Sequence, residues 1–187
     1  LSTLTFFEGC MLNPEANSSG DEMPEEPSVR PVDPMALRVA LGSFLTGVTI
    51  VTARNEQGEP YGLTVNSFNS VSLNPPLVLW SLDLRNDKLD LFRKAGGFTV
   101  NVMRADQEDL IWLFARAETE RFADTDWHWG VSGQPVLQNT LLSLECREWA
   151  EYPGGDHTIF VGEVVNIDAS EGAPAAFFKG QLGAHKP

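Results

Sequence analysis

Positive charge is scarce in this chain. Its 187 residues carry 13 Lys and Arg against 26 Asp and Glu, giving a formal net charge of −13 and a pI near 4.5. A phosphate backbone or an anionic lipid surface would be repelled, so neither nucleic acid nor membrane binding is expected. No apolar run reaches the roughly 20 residues a spanning helix needs, and the N-terminus lacks the basic flank and apolar stretch of a secretory signal. Cysteine is nearly absent, with only Cys10 and Cys146. Cys146 sits in an alternating apolar run and reads as a small buried hydrophobe. A reduced, cytoplasmic chain is a simpler reading than a disulfide between these two cysteines.

Several chemistries are missing as well. No Gly-x-Gly-x-x-Gly follows a strand and no Walker-type loop occurs, so a nicotinamide nucleotide would not sit in a Rossmann site. No Gly-x-Ser-x-Gly elbow supports a serine hydrolase. His128, His157 and His185 are scattered, without the Cys or acidic spacing of a metal site, and no metal is expected.

What is present suits one packed domain: 42% apolar residues, five Trp, and Gly and Pro spread between short runs. Residues 1–31 stand apart as an acidic arm, with Glu8, Glu15, Asp21, Glu22, Glu25 and Glu26 against Arg30 and no core of their own. The domain is expected over 32–187. Asp33-Pro34 is a helix start, with Leu37, Leu41 and Phe44 on one face through about Leu45. Val48–Thr52 reads as a strand, Asn55–Gly58 as a turn, and Leu77–Trp80 as a central strand. Asn86 or Asp87 caps a short helix through Lys94, and Phe98–Met103 is a strand. Asp106 caps a helix whose apolar positions are Leu110, Leu113, Phe114 and Ala117. Arg121–Gln134 reads as a loop anchored by Trp127 and Trp129. A long strand from Leu142 to Trp149 turns at Tyr152–Gly155 and returns over Thr158–Ile167, and a last strand lies near Ala176–Phe178. Strands dominate and no βαβ alternation appears. The expected class is mainly β, a barrel with accessory helices.

One stretch carries more information than the rest, from Gly62 to Leu82. Leu63, Val65, Val71 and Leu73 alternate with Thr64, Asn66, Ser70 and Ser72, which reads as a strand with one core face and one face of short donors and acceptors. Such groups suit a concave site for a polar planar ligand, since they hydrogen-bond without filling the cavity. A solvent-washed strand face is the alternative.

The same stretch, with Phe44-Leu-Thr-Gly-Val-Thr-Ile-Val-Thr52 before it, resembles the flavin reductase-like family. Phe98–Val102, the helix from Gln107 to Phe114-Ala115, Arg121-Phe122 and Gly155-Asp-His157 follow in the family's order. The resemblance spans about Pro34 to Gly183. It implies a Greek-key, FMN-binding split β-barrel, usually a homodimer, that passes a hydride from NADH or NADPH to FMN or FAD. It also implies a flavin-dependent monooxygenase as a partner that takes up the reduced flavin. An electron carrier of the same fold that keeps its FMN is the alternative. A split-barrel oxidase of the pyridoxamine type is disfavoured, because no Arg and Lys cluster is visible in the sequence.

By that resemblance Gly62, Leu63, Thr64, Asn66 and Ser67 line the ring and ribityl chain, and Ser81, Leu82 and Asp83 close on the same ligand. Family members often carry a small hydroxyl or Arg at the following helix start. Here Asp87-Lys88 stands there, with Lys88 as the phosphate contact and ordinary capping as the alternative. Phe114 is a pocket wall by resemblance and plain core by periodicity. His157 would stand beside the flavin face and contact the nicotinamide; a turn histidine held by Asp156 is the alternative. Arg121 reaches phosphate or pairs with nearby acids such as Asp124. No strong acid or base is required, since the protein's task is to stack two rings at about 3–3.5 Å. Overall acidity leans to NADH over NADPH.

Overall fold

The computed structural model describes residues 30–116 and 120–184, so the expectations on residues 1–29, on Ala117 and on His185 fall outside the described residues. Asp33 caps α1 (Pro34–Leu41) as expected, its carboxylate accepting from the Met35 and Ala36 N–H groups at 3.4 and 3.1 Å. The helix ends earlier than Leu45. Its supposed inner face is outside: Leu37, Leu41 and Phe44 are 47%, 62% and 72% exposed. Periodicity shows that a helix has an apolar face, but not what covers it.

The strands follow as β1 (Thr46–Gly47), β2 (Thr49–Arg54), β3 (Pro60–Val65), β4 (Asn69–Leu73), β5 (Pro76–Asp83) and β6 (Gly97–Val102). Then come β7 (Trp127–Trp129), β8 (Pro135–Leu137), β9 (Leu142–Gly154), β10 (His157–Ala169), β11 (Ala175–Phe178) and β12 (Gln181–Ala184). Helix α2 (Leu89–Lys94) follows β5, and α3 (Glu108–Ala115) follows β6. Seven strands form one antiparallel sheet in the order β3-β2-β6-β9-β10-β5-β4. Strands β1, β11 and β12 make a smaller sheet, and β7 pairs with β8.

The expected single strand from Gly62 to Leu73 is therefore two, at opposite edges of the sheet. Its alternation fails in the middle, where Ser67 and Asn69 take positions that the pattern reserves for apolar groups. Val71 and Leu73 are exposed, not core. This break closes the barrel. Val65 and Asn69 are four Cα steps apart, at most about 15 Å, while the edges of a flat seven-stranded sheet lie about 29 Å apart at 4.8 Å per strand. The sheet must roll until its edges nearly meet. No ladder joins β3 to β4; instead the Ser67 hydroxyl donates to the Ser81 carbonyl at 3.0 Å and accepts from the Ser81 N–H at 2.9 Å.

Other boundaries move for local reasons. Tyr152 and Pro153 stay in the β9–β10 ladder, and the turn is only Gly155-Asp156, where Gly155 has φ +74°, a geometry matched to the twist of a two-residue hairpin. The region expected as a loop holds the β7–β8 hairpin. Asp106 does not cap α3; it accepts from Arg104 Nε and Nη2 at 3.0 and 2.9 Å, and Gln107 takes the cap position without a capping bond to the helix, its Oε1 accepting instead from the Arg104 N–H at 3.0 Å. At α2 Lys88 holds the cap position, and Asn86 Oδ1 accepts from the Lys88 N–H at 3.0 Å.

Strand β2 is buried on both faces and splits the core in two. Val51 and Ala53 point into the barrel with Leu63, Val100, Leu144 and Cys146. There Trp80 stacks on Phe160 at 4.8 Å and meets Phe92 of α2 edge-on at 4.8 Å. Val48 and Ile50 face outward, under Ile111 and Phe114 of α3, Leu137 of β8 and Ala175 of β11. Burial pushes the Cys146 thiol up to about 12, so it stays protonated and inert at neutral pH.

One fully buried amide joins these layers. Asn101 Nδ2 donates to the Ile50 carbonyl at 2.9 Å and the Thr52 hydroxyl at 3.1 Å. Its Oδ1 accepts from the Leu137 N–H at 3.0 Å and the Ser143 hydroxyl at 3.2 Å. Asn101→Ala would strand several buried groups at about 1–3 kcal/mol each. Urea unfolding of that variant is expected to show a loss of about 3 kcal/mol, and a loss near zero would remove Asn101 as the tie between layers.

Candidate functional site

Rolling the sheet brings the outer end of β3 beside the turn after β5, and α3 packs on β3. Between them lies a cleft of about 410 Å³, walled by Leu63, Thr64 and Phe114 and rimmed by Arg85, Asn86, Asp87, Lys88, Arg116 and Arg121. Four cations gather here on a chain whose net charge is −13. The sequence reading singled out Lys88 and weighed Arg121, but missed Arg85 and Arg116. No local signal could have found them, since they come from the β5–α2 turn and the end of α3.

The four cations are held differently. Arg121 is buried and donates to the carbonyls of Gly62 and Arg116, tying β3 to the last turn of α3. Arg85 is exposed and gripped by Asp83, Nε at 3.1 Å and Nη2 at 2.7 Å. The Arg85 guanidinium and N–H hold the Asp83 carboxyl well below the usual carboxylate range, so the pair persists through neutral pH and is lost only under strong acid. Lys88 keeps its stem buried, and its Nζ lies 3.1 Å from a carboxylate oxygen of exposed Asp87. Arg116 makes no ion pair among the described residues.

The predicted residues divide into five groups. Leu63, Thr64, Lys88 and Phe114 line the cleft together. The Thr64 hydroxyl donates to the Ile111 carbonyl at 2.7 Å, which leaves its lone pairs for a ligand. Phe114 is both wall and core: it is fully buried and meets Phe122 edge-on at 5.1 Å. Gly62 and Leu82 are buried, so they can offer only backbone. A Cβ on Gly62 would lie 3.1 Å from the Phe114 ring and 2.9 Å from the Val51 carbonyl, and the glycine is what lets that ring pack close. Ser67 and Ser81 are bonded to each other at the barrel seam. Asp83 and His157 sit opposite each other in the β5–β10 ladder. His157 Nδ1 lies 2.7 Å from Asp156 Oδ1, the contact of the alternative reading, and His157 is not among the residues that line the cleft. Asn66 is exposed and belongs to an apolar slot of about 200 Å³ that shares Thr64 and Ala115 with the cleft.

A roomier cavity of about 480 Å³ lies elsewhere, lined by Arg104, His128 and Asp168 among others. It contains none of the predicted residues, and its one arginine is pinned through two of its three guanidinium nitrogens by Asp106. The smaller cleft is the better candidate because its polar groups converge and part of its charge is free.

Comparison with known proteins gives one consistent picture. A family model described as flavin reductase like domain matches residues 41–185. The chain is 46% identical over 148 residues to an FMN reductase (NADH) of Agrobacterium fabrum, covering 79% of this chain and 84% of that one. It is 38% identical over 159 residues to the reductase component of a 4-nitrophenol 4-monooxygenase/4-nitrocatechol 2-monooxygenase of Rhodococcus opacus, covering 85% of each. Among solved structures it is similar to an NADH:FAD oxidoreductase of Streptomyces globisporus C-1027 in complex with NAD and FAD fragments. That match has a TM-score of 0.77 at 37% identity, over 85% of this chain and 98% of that one.

The pairing of Arg85 yields a test of the cleft's charge. Asp83→Asn frees that guanidinium without touching the core. Calorimetry at low salt should show tighter binding of inorganic pyrophosphate, with urea unfolding little changed. Unaltered anion affinity would mean that Arg85 does not serve the cleft.

Proposed function

This chain belongs to the flavin reductase like domain family, and we propose that the cationic cleft is where it binds the flavin it reduces. It is an NAD(P)H:flavin oxidoreductase, and the relatives named above point to NADH as its electron source. One observation carries the assignment of the cleft: four cations from two separate segments, the β5–α2 turn and the stretch after α3, converge beside a polar-sided strand on an otherwise acidic protein. The donor set fits a flavin nucleotide. Arg85, Lys88 and Arg116 suit its phosphate, Leu63 and Phe114 give apolar walls, and Thr64 with the neighbouring backbone offers hydrogen bonds to its polar edge.

The flavin, when bound, supplies the redox chemistry, taking a hydride from the nicotinamide. The chain's own residues do the positioning. Arg121 fixes the Gly62 end of β3 against α3, so the walls do not part. Ser67 holds the seam to Ser81. We read His157, steadied by Asp156 and opposite Asp83 in the ladder, as the donor to the nicotinamide carboxamide. A flavin-dependent monooxygenase fits as the recipient of the product, since a relative of this chain is the reductase component of such a system. A cytoplasmic setting fits an enzyme that draws on NADH.

We assign α1 to the contact with a second copy of this chain. An eight-residue helix with no buried side chain is marginal in water, and Met35, Val39, Leu41 and Phe44 are all exposed on or just after it. Sedimentation should give a dimer, and Leu41→Asp should shift it to monomer. A wild-type monomer would remove the assignment.

The first measurement is absorbance of the protein with FMN or FAD, followed by NADH under anaerobic conditions. Bleaching of the flavin band that is catalytic in protein is expected; bound flavin that neither NADH nor NADPH reduces would mean an electron carrier instead. His157→Ala should slow reduction about tenfold, the worth of one hydrogen bond, while flavin affinity changes little. Equal loss of both, or of neither, would sink the role given to His157.

A further inference from the structure

The apolar slot beside the cleft is not used by the reading above, although only Thr64 and Ala115 separate the two. We propose that it holds the adenine of FAD, with Trp112 as the ring on which the base stacks and Asn66 as the side chain that reads its edge. The proposal rests on the flavin assignment of the cleft.

Trp112 is out of place as a core residue. Its helix neighbours Ile111 and Phe114 are buried, yet Trp112 is 40% exposed at the slot. A large apolar ring left half in water costs hydration free energy that nothing within the described fold recovers. The ring is also fixed, because its Nε1–H donates to Glu108 Oε1 at 3.1 Å, one helical turn back. The other walls are hydrocarbon, from Val48, Val65 and Ile111. Two polar side chains join them: Thr64, whose hydroxyl donates to the Ile111 carbonyl, and the Asn66 amide, which is exposed and makes no hydrogen bond among the described residues.

An apolar slot, an aromatic platform and one uncommitted amide together match a purine. Bases stack on aromatic side chains whatever their identity, and an Asn amide pairs in bidentate fashion with adenine N6 and N7. The slot's 200 Å³ suits one bicyclic base and is far too small for a whole dinucleotide. Its position suits FAD in particular. Pyrophosphate held by Arg85, Lys88 and Arg116 in the cleft leaves the adenosine to turn over Thr64 into the slot. FMN, ending at its phosphate, would leave the slot empty.

The test compares FMN and FAD binding to wild type, Trp112→Ala and Trp112→Phe by flavin fluorescence titration. Trp112→Ala should weaken FAD about tenfold or more, as loss of one base–aromatic stack does, with FMN affinity within about twofold. Trp112→Phe should restore most of the FAD affinity, and thermal melts should show all three folded. Equal weakening of FMN and FAD would put the isoalloxazine in the slot and overturn the proposal. So would no weakening of either. A raised KM for NADH with FAD affinity intact would give the slot to the nicotinamide dinucleotide, again against the proposal. Wild type that bound FMN but not FAD would overturn the slot assignment alone; wild type that bound neither would overturn the flavin reading of the cleft with it.

Discussion

A link of three residues, Asn66 to Phe68, sets the shape of this molecule. It joins strands at opposite edges of a seven-stranded sheet, and its reach is about half the width the sheet would have if flat. Closure is thus imposed by chain length before any packing is considered, and the aromatic core around Trp80 fills the space that closure makes. Because the edges meet without a ladder, the seam keeps unpaired backbone and short polar side chains that a closed barrel would consume. The candidate site lies beside that seam. Ser67 spends its hydroxyl on Ser81 to hold the seam at one point, and the neighbouring Thr64 and Asn66 are left to face cavities.

The charge arrangement follows from the same geometry. The C-terminal end of α3 points its carbonyls toward the cleft, and a helix C-terminus disfavours an anion. Arg121 answers that by donating to the Arg116 carbonyl while it also grips Gly62. A buried guanidinium is expensive unless its donors are met, and here two backbone carbonyls accept from its terminal nitrogens. Arg121 is therefore structural and electrostatic at once. It neutralises the helix end, and it leaves Arg85, Lys88 and Arg116 at the rim, each paired to a local acid or to none. Exposed pairs of that kind are weak and readily exchanged, which suits a site that must release what it binds.

Much of this was legible in the residues, and what was not has physical reasons. The strand-rich class, the Asp33 cap, the existence of a β9–β10 hairpin, though not its turn at Gly155-Asp156, and the apolar run around Cys146 all express local rules. The break at Asn66–Phe68 was visible as a failed alternation, but the alternation on either side invited a single strand. The inner face assigned to α1 failed because periodicity does not name a partner. Of the site, Leu63, Thr64, Lys88 and Phe114 were found and do converge; Arg85 and Arg116 were not, because their convergence exists only after the sheet has rolled. Trp112 was passed over for a related reason. On a helix wheel it is one more apolar residue, and only exposure at a slot sets it apart.

The absence of any acid–base constellation also becomes intelligible. Hydride transfer between two stacked rings asks the protein for proximity and orientation, and those can supply several orders of magnitude of rate without a titrating group. A protein under that demand should spend its polar side chains on rigidity. Asn101 does so, with both ends of its amide committed between layers, and so does Glu145. Burial opposes ionisation of Glu145, yet the Ser132 N–H at 2.7 Å and the Asn166 amide at 2.8 Å hold its carboxyl below the ordinary value. Since its folded value is depressed, the stability it lends is present above the carboxylate range and fades as pH falls through it. Glu145, like Asn101, thus serves to keep walls in place, and the chemistry is left to what the walls enclose.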